Sequence, residues 1–413
     1  MHTVDAAGLS VGDGHPPRVM GVLNVSEESP YDPSVFADHD AAAAYVEDEL
    51  VGEGADIVDV GLESANKRFD VLSAQQELDR LDTAVETLHA TSGSAVWSIE
   101  TRYAEVAAAA LDRGFDMVND IAGFADPEMP AVCRDYDVAV AKMASPPDLT
   151  RPGAVEETPW AERRSPEWAA EADYVDQVYE ALQQNGLTDK TIVDPAFGGW
   201  SEAKTIGQDR ETFRRLREFR GLGCPILVSI NRKNFLRSLT GRSTEAALPV
   251  SLAATSMAVE RGAHIVRTHD VAETVDAVAV GDAFAPDRHR GTDAVDVAEL
   301  DVTTAGEVAR HAERLGVDAD PAAAVGRVFE LRGHDETTRD RLADAAAATD
   351  CRFSVSGDRA AAGVGTSDAG ADPDGAWAGL LYGTEAALAR LAERSDVPAP
   401  LGAPHTDSTG VQR

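Results

Sequence analysis

Two short basic pairs stand out in this 413-residue chain, Arg232-Lys233 in SINRKNFL and Arg267-x-His269 in VRTHD. Guanidinium, ammonium and imidazole donors grouped in this way suit an oxyanion, because charge-assisted hydrogen bonds are roughly twice as strong as neutral ones. A second set is made of acceptors: Glu100 in SIETRY, Asn119 in MVNDIAG and Asp194 in IVDPAFG. Carboxylates and an amide suit a planar heterocycle that presents adjacent N–H groups, and one carboxylate can hold an amino-pyrimidinone edge through two hydrogen bonds. The chemistry suggested is recognition of an anion next to a heterocycle, with no Ser-His-Asp or Cys-His constellation to supply a nucleophile.

The elements that must position these groups are eight short apolar runs: VMGVLNV (19–25), DIVDV (56–60), AVWSI (95–99), DMVND (116–120), VAVAK (138–142), TIVDP (191–195), PILVSI (225–230) and HIVRT (264–268). Amphipathic stretches such as AAAAYVEDELV, AQQELDRLDTAVETL, RYAEVAAAALDRG and ETFRRLREF lie between them. Alternation of this kind is the pattern of βα units around a parallel sheet. Eight units in this length favour a closed TIM (β/α)8 barrel over a doubly wound sheet, and no GxGxxG follows the first run. In such a barrel the loops after the strands converge on one face. The run ends offer Asn24, Asp59 with Glu63, Glu100, Asn119 with Asp120, Lys142 with Met143, Asp194, Arg232 with Lys233, and Arg267 with His269. The last two pairs fall where barrels of this kind commonly bind phosphate. Singly, each residue has a plainer reading: Asp194 or His269 as a helix cap, Asn24 as a turn residue, Arg267 as a partner of Glu100 or Asp270.

Composition bounds the rest. The formal net charge is -35, with 72 Asp and Glu against 37 Lys and Arg, which disfavours nucleic acid and anionic membrane as partners. Lysine occurs only at 67, 142, 190, 204 and 233, and the acidity is dispersed; this suits a halophilic cytoplasm, where the screening length falls to about 3 Å or less. No apolar run reaches the ~20 residues of a membrane span, and no signal pattern opens the chain, so a cytoplasmic protein is expected. Cys133, Cys224 and Cys351 are odd in number and far apart, which argues against a disulfide framework. We divide the chain into a lead-in (1–17), the barrel (18–284), a charged linker (285–297), a small C-terminal α+β domain (298–401) and a tail (402–413). Within the small domain His311 and His334 are expected at the surface, and a contact or assembly role is its default reading.

In order along the chain, MGVLNVS, DIVDVGLES, SIETRYAEVAAAAL, MVNDIAG, IVDPAFG, SINRKNFL and GAHIVRTHDV resemble the segments of dihydropteroate synthases, pterin-binding barrels, over about residues 18–275. The resemblance implies condensation of 6-hydroxymethyl-7,8-dihydropterin diphosphate with p-aminobenzoate, with release of pyrophosphate, in folate biosynthesis. It further implies that Asn24 helps hold Mg²⁺ and the diphosphate, that Arg267 and His269 bind the same anion, and that Asn119 and Asp194 hold the pterin edge with Lys233 reaching the ring. Lys233, Arg267 and His269 are the expected catalytic residues, and Glu100, Arg232, Met143, Ala65 and Lys67 complete the expected substrate-binding set. Members of the family are commonly dimers. A methyl-transferring or non-catalytic pterin-binding protein is the alternative.

The chain departs from the family's pattern chiefly on the second-substrate side. Where ESTRPG is usual it reads ESANKRF, so Ala65 lacks a hydroxyl, Asn66 replaces an arginine, and Lys67 or Arg68 would have to supply the positive charge. Glu100 stands where Asp is usual, Lys142-Met143-Ala144 replaces Met-His-Met, the first loop NVSEESPYDPSVF looks archaeal, and DPAFGGWSEAKT is long, leaving Lys204 without a clear equivalent. An amine larger than p-aminobenzoate therefore stays open.

Overall fold

A computed structural model of the chain describes residues 2–26, 34–63, 71–145, 165–198, 204–286, 288–291, 296–333, 335–355 and 377–394. They fall into two compact units, Met1–Leu300 and Asp301–Arg413.

The first unit opens with a hairpin of β1 (Val4–Ala6) and β2 (Leu9–Val11). Eight parallel strands follow: β3 (Arg18–Asn24), β4 (Ile57–Gly61), β5 (Val96–Thr101), β6 (Met117–Asp120), β7 (Ala139–Met143), β8 (Thr191–Asp194), β9 (Leu227–Val228) and β10 (Ile265–Thr268). Consecutive strands are neighbours from β3 to β8, β10 pairs with both β3 and β9, and a parallel bridge between Val193 and Ile226 joins the ends of the sheet. The result is the (β/α)8 barrel expected from the eight apolar runs, whose limits differ from the strands by one or two residues. These runs are nearly continuous in Val, Ile and Ala because strands covered by helices outside and by barrel filling inside meet water on neither face.

The outer helices start at designed stops. Ser73 and Thr205 each close a capping box, with Gln76 and with Gln208, on the helices Ala74–Ala90 and Ile206–Arg214. The helices Leu248–Glu260 and Val271–Phe284 touch at Gly281, where a Cβ would come within 2.7 Å of the Ser256 carbonyl oxygen and of Val259. Among the described residues no helix is long and apolar enough to cross a membrane.

Residues 2–17 close the barrel floor. Val4, Ala6 and Val11 pack on the first inward side chains of the strands, among them Met20, Ile57, Met117, Ile192 and Ile265. Charge seals the same end. Asp13 accepts from both terminal nitrogens of Arg220 at 3.1 Å and lies 3.3 Å from His264 Nε2. Burial raises the Asp13 pKa, but the His264 hydrogen bond and the Arg220 charge outweigh it and hold the carboxyl well below its usual range.

The stretch read as a linker contains a small antiparallel pair, β11 (His289–Gly291) with β12 (Asp296–Ala298). The second unit has a three-stranded antiparallel sheet of β13 (Gly326–Gly333), β14 (Arg352–Val355) and β15 (Trp377–Thr384), with β15 central. Leu381 of β15 packs with Ala345, Ala346, Ala387 and Leu391 of the helices Glu336–Ala347 and Glu385–Ala392. His311, expected at the surface, is buried. It lies one helical turn after the buried Glu307 on the inward stripe of the helix Ala305–Leu315, so its place follows from helix period and not from its polarity. His334 lies outside the described residues.

Removing one partner of a buried ion pair leaves the other charge uncompensated. Asp13→Ala is therefore expected to lower unfolding free energy by about 3–5 kcal/mol in denaturant titration; a loss below about 1 kcal/mol, the range of exposed pairs, would show that the floor cluster does not bind the barrel together.

Candidate active site at the C-terminal mouth

The strand ends gather a network around Asp59 of β4, which is fully buried. Register places Ser98 of β5 beside it, and Glu100 of β5 beside Asn119 of β6. Asp59 accepts from Ser98 Oγ at 2.7 Å, Asn119 Nδ2 at 2.9 Å and Arg267 Nε at 2.7 Å. Arg267 crosses from β10 and also donates from Nη2 to Glu100 at 2.6 Å. A carboxylate accepts and cannot donate, so Asn119 must turn its amide nitrogen to Asp59 and its Oδ1 away. Glu100 feels burial first, which raises its pKa, and then Arg267, which opposes the rise; the neighbouring Asp59 and Glu63 add to it, and the net direction is upward.

The second cluster is built on β8 and the turn that follows. Asp194 accepts from the Ala196 backbone at 2.8 Å. Burial pushes its carboxyl up to about 6 against the lowering influence of that bond and of Lys233, Arg267 and Lys204. Lys233 is pulled down to about 8, by burial first and then by Arg267, with Asp194 and Asp209 opposing. Its stem lies along Gly198, which has φ +112°; a Cβ there would stand 3.1 Å from Lys233 Cδ and 3.2 Å from Nζ. Lys204 fixes this turn from behind, pairing with Asp209 at 2.8 Å and donating to the Ala196 carbonyl, while Asp209 also accepts from the Gly198 backbone at 3.2 Å.

The third cluster ties β3 to β10. Asn24 Nδ2 donates to Ser34 Oγ at 3.0 Å, and Ser34 Oγ lies 3.2 Å from His269 Nδ1. Burial, then the charges of Arg267 and Lys233, push the His269 pKa down to about 3, so the ring is neutral near pH 7. In the tautomer that carries its proton on Nε2, Nδ1 accepts from Ser34 and Nε2 is a donor for an anion. Gly61 leaves room here, since a Cβ on it would stand 3.0 Å from Asn24 Oδ1.

Asn24, Glu100, Asn119, Asp194, Lys233, Arg267 and His269 thus share one end of the barrel. Arg232 does not join them as a ligand. It takes a left-handed φ of +52°, forks onto Asp270 at 2.8 and 2.7 Å, and spends Nη1 on the carbonyls of Thr244 and Glu245. Its donors are committed to binding two loops together, so the paired Arg-Lys of the sequence resolves into one structural and one mouth residue. Met143 is buried in the main apolar cluster beside Asp194 and packs there. Lys142 points the other way and caps the helix Tyr174–Gln183 through the carbonyls of Leu182, Gln184 and Gly186. Ala65 and Lys67, with Asn66 and Arg68, lie outside the described residues.

Sequence reasoning placed Asp59 at a strand end without a role, and it missed Ser34, Ser98 and Gly198. The signal for Asp59 was a charge inside an otherwise apolar run; Ser34 and Ser98 carried none.

The comparisons with known proteins concern the chain as a whole. Residues 20–269 match the family described as pterin binding enzyme. A probable bifunctional folylpolyglutamate synthase/dihydropteroate synthase of Halobacterium salinarum is 33% identical over 271 residues, covering 66% of this chain and 32% of that protein. The corresponding Haloferax volcanii protein is 35% identical over 270 residues, 63% of this chain and 30% of that one; the chain spans about a third of these two relatives. The dihydropteroate synthase of Escherichia coli is 30% identical over 286 residues, 67% of this chain and 95% of that enzyme. Among solved structures, the Xanthomonas albilineans dihydropteroate synthase with 4-aminobenzoic acid superposes with a TM-score of 0.54 at 30% identity, over 68% of this chain and 97% of that one. The Coxiella burnetii enzyme in complex with pteroic acid gives 0.54 at 28%, over 68% and 98%. The chain belongs to the pterin binding enzyme family, among the relatives of dihydropteroate synthase.

Proposed function

We propose that this chain is a dihydropteroate synthase, which joins 6-hydroxymethyl-7,8-dihydropterin diphosphate to p-aminobenzoate or a related aminobenzene. The observation that carries this reading is the gathering of two sets of groups at the same end of the barrel: acceptors on Asp194 and Asn119, and donors on Lys233, Arg267 and His269. The solved relatives with pteroic acid and 4-aminobenzoic acid support it.

In this reading the pterin amino-pyrimidinone edge donates to the Asp194 carboxylate and to Asn119 Oδ1, and the Lys233 ammonium lies against the ring. The diphosphate oxygens accept hydrogen bonds from His269 Nε2–H and from Arg267 Nη1, which is left over after Nε and Nη2 bind Asp59 and Glu100. The methylene C–O bond breaks with its electron pair leaving on pyrophosphate, a step these donors favour because negative charge develops where they point. The amine lone pair then forms the C–N bond and an amine proton is lost to solvent. A pterin-stabilised methylene cation needs no strong general base. Lys67, within the altered ESANKRF segment, would supply charge for the carboxylate of the amine.

Mg²⁺ fits this arrangement in one way only. Among the described residues no group of three or more His, Cys, Asp or Glu is placed to hold a metal ion. Asn24 commits its Nδ2 to Ser34 and has its amide oxygen beside Gly61; an amide oxygen suits a hard cation that takes most of its ligands from phosphate and water. Bound there, Mg²⁺ would neutralise charge on the departing pyrophosphate.

The direct test is incubation with the pterin diphosphate, p-aminobenzoate and Mg²⁺ in molar salt, with pyrophosphate and the pterin product both measured. Stoichiometric formation of the two is expected; pterin binding without turnover on any aminobenzene would overturn the reading. Asp194→Ala and Lys233→Ala each remove a charged hydrogen-bond partner and should lower kcat/KM for the pterin by roughly 10- to 100-fold, as about 1.5–3 kcal/mol implies. The pH dependence follows from the raised carboxyl and the lowered ammonium. Below about 6 Asp194 gains a proton and loses acceptor capacity, and above about 8 Lys233 loses its charge. The pH profile of kcat/KM for the pterin diphosphate should therefore fall on both sides of that window. The acid limb should flatten in Asp194→Asn, and its persistence there would assign it to another group. His269 should show no imidazole titration between pH 5 and 8 by NMR, with His269→Gln as the assignment control.

A further inference from the structure

Lys204, one of five lysines in the chain, has a side chain only 3% exposed, and that of its partner Asp209, in the first turn of the helix Ile206–Arg214, is 6% exposed. For stability alone such a pair gains little, because apolar side chains of similar volume commonly do as well, and an attested use of buried polar groups is to specify one arrangement among several. What this pair specifies is the turn that follows β8.

That turn is conformationally costly. Ala196 takes a left-handed φ of +62° and Gly198 one of +112°, and a residue with a Cβ stays in that region only where its surroundings hold it. Ala196 is held from both sides: its N–H donates to Asp194 at 2.8 Å, and its carbonyl accepts from Lys204 Nζ. Gly198 is held by Asp209, which accepts from its N–H at 3.2 Å. Each anchor therefore bears on a residue of the mouth. The Ala196 N–H orients the Asp194 carboxylate, and Gly198 is the surface along which the Lys233 stem lies, so close that a Cβ there would stand 3.1 Å from Cδ. Charge follows the same route. Burial and then Arg267 lower the Lys233 pKa; Asp194 and Asp209 oppose them, and Lys204 adds to them.

We propose that Lys204 and Asp209 are positioning residues for the pterin half of the mouth: through the turn Ala196–Gly198 they set the direction of the Asp194 carboxylate and the place of the Lys233 ammonium. Because this role rests on the reading of the mouth as a pterin site, one readout is taken without substrate.

Lys204→Met/Asp209→Asn leaves no uncompensated charge in the interior and keeps an acceptor for the Gly198 N–H, so it separates lost positioning from lost folding. In the full chain carrying it, kcat/KM for the pterin diphosphate should fall by roughly 10- to 100-fold, since misplacement by about 1 Å can cost about 100-fold, while KM for the aminobenzene stays within about twofold of the wild type. Lysine-selective carbon-13 NMR on the substrate-free protein, with Lys233→Met for assignment, gives the second readout: the Lys233 midpoint should move up in Lys204→Met and down in Asp209→Asn. A pterin kcat/KM unchanged in the double variant would overturn the proposal, as would a loss shared equally by the two substrates or a Lys233 midpoint that moves in neither single variant. A wild type that does not turn over the pterin, with both midpoint shifts present, would instead overturn the reading of the mouth and with it the pterin role of the turn.

Discussion

The Arg267 guanidinium, held between two buried carboxylates, is the constraint on which the mouth depends. Asp59 is fully buried, where a polar group is costly unless hydrogen-bonded, and three donors converge on it, from Ser98, Asn119 and Arg267. Each is thereby fixed: Asn119 in its amide orientation, Arg267 in its reach across the barrel, and Glu100 at the other side of the same fork. Only part of Arg267 is left for a ligand. That makes it a preorganised donor whose direction is set before any anion arrives, at no further cost in side-chain freedom.

The two ends of the barrel use the same device differently. At the floor an aspartate is shared by an arginine and a histidine beside the N-terminal hairpin; at the mouth an aspartate is shared by an arginine, an asparagine and a serine. The mouth then takes its character from neighbours. Burial, then the charges of Arg267 and Lys233, depress His269, and burial raises Asp194, so a carboxylate, an ammonium and a neutral imidazole coexist near pH 7 at one end of the barrel.

The barrel was legible in the sequence because parallel strands buried on both faces must be written as continuous apolar runs, and eight such runs were countable. The mouth was legible as residue types at run ends, since strand ends converge whatever the loops do. Which member of an adjacent pair enters the site was not. Arg232 and Lys233 read alike, and only the left-handed backbone at Arg232 with the acceptors of Asp270, Thr244 and Glu245 decides that it serves the fold. Lys142 is similar: the pleat sends it outward to a helix end, and pleat phase at a strand terminus cannot be read from apolar neighbours. The floor hairpin escaped notice because three-residue strands carry too little periodicity, and His311 because a polar residue on an inward stripe looks like a surface one until its helix is packed.

The most direct measurement of the central claim is a crystal structure with 6-hydroxymethyl-7,8-dihydropterin diphosphate bound. The account predicts the amino-pyrimidinone edge on Asp194 and Asn119 and the diphosphate against His269 and Arg267 Nη1, with the Arg267–Asp59 bond intact. A pterin lying in the reverse sense, or a diphosphate held by Arg232 after release of Asp270, would contradict it.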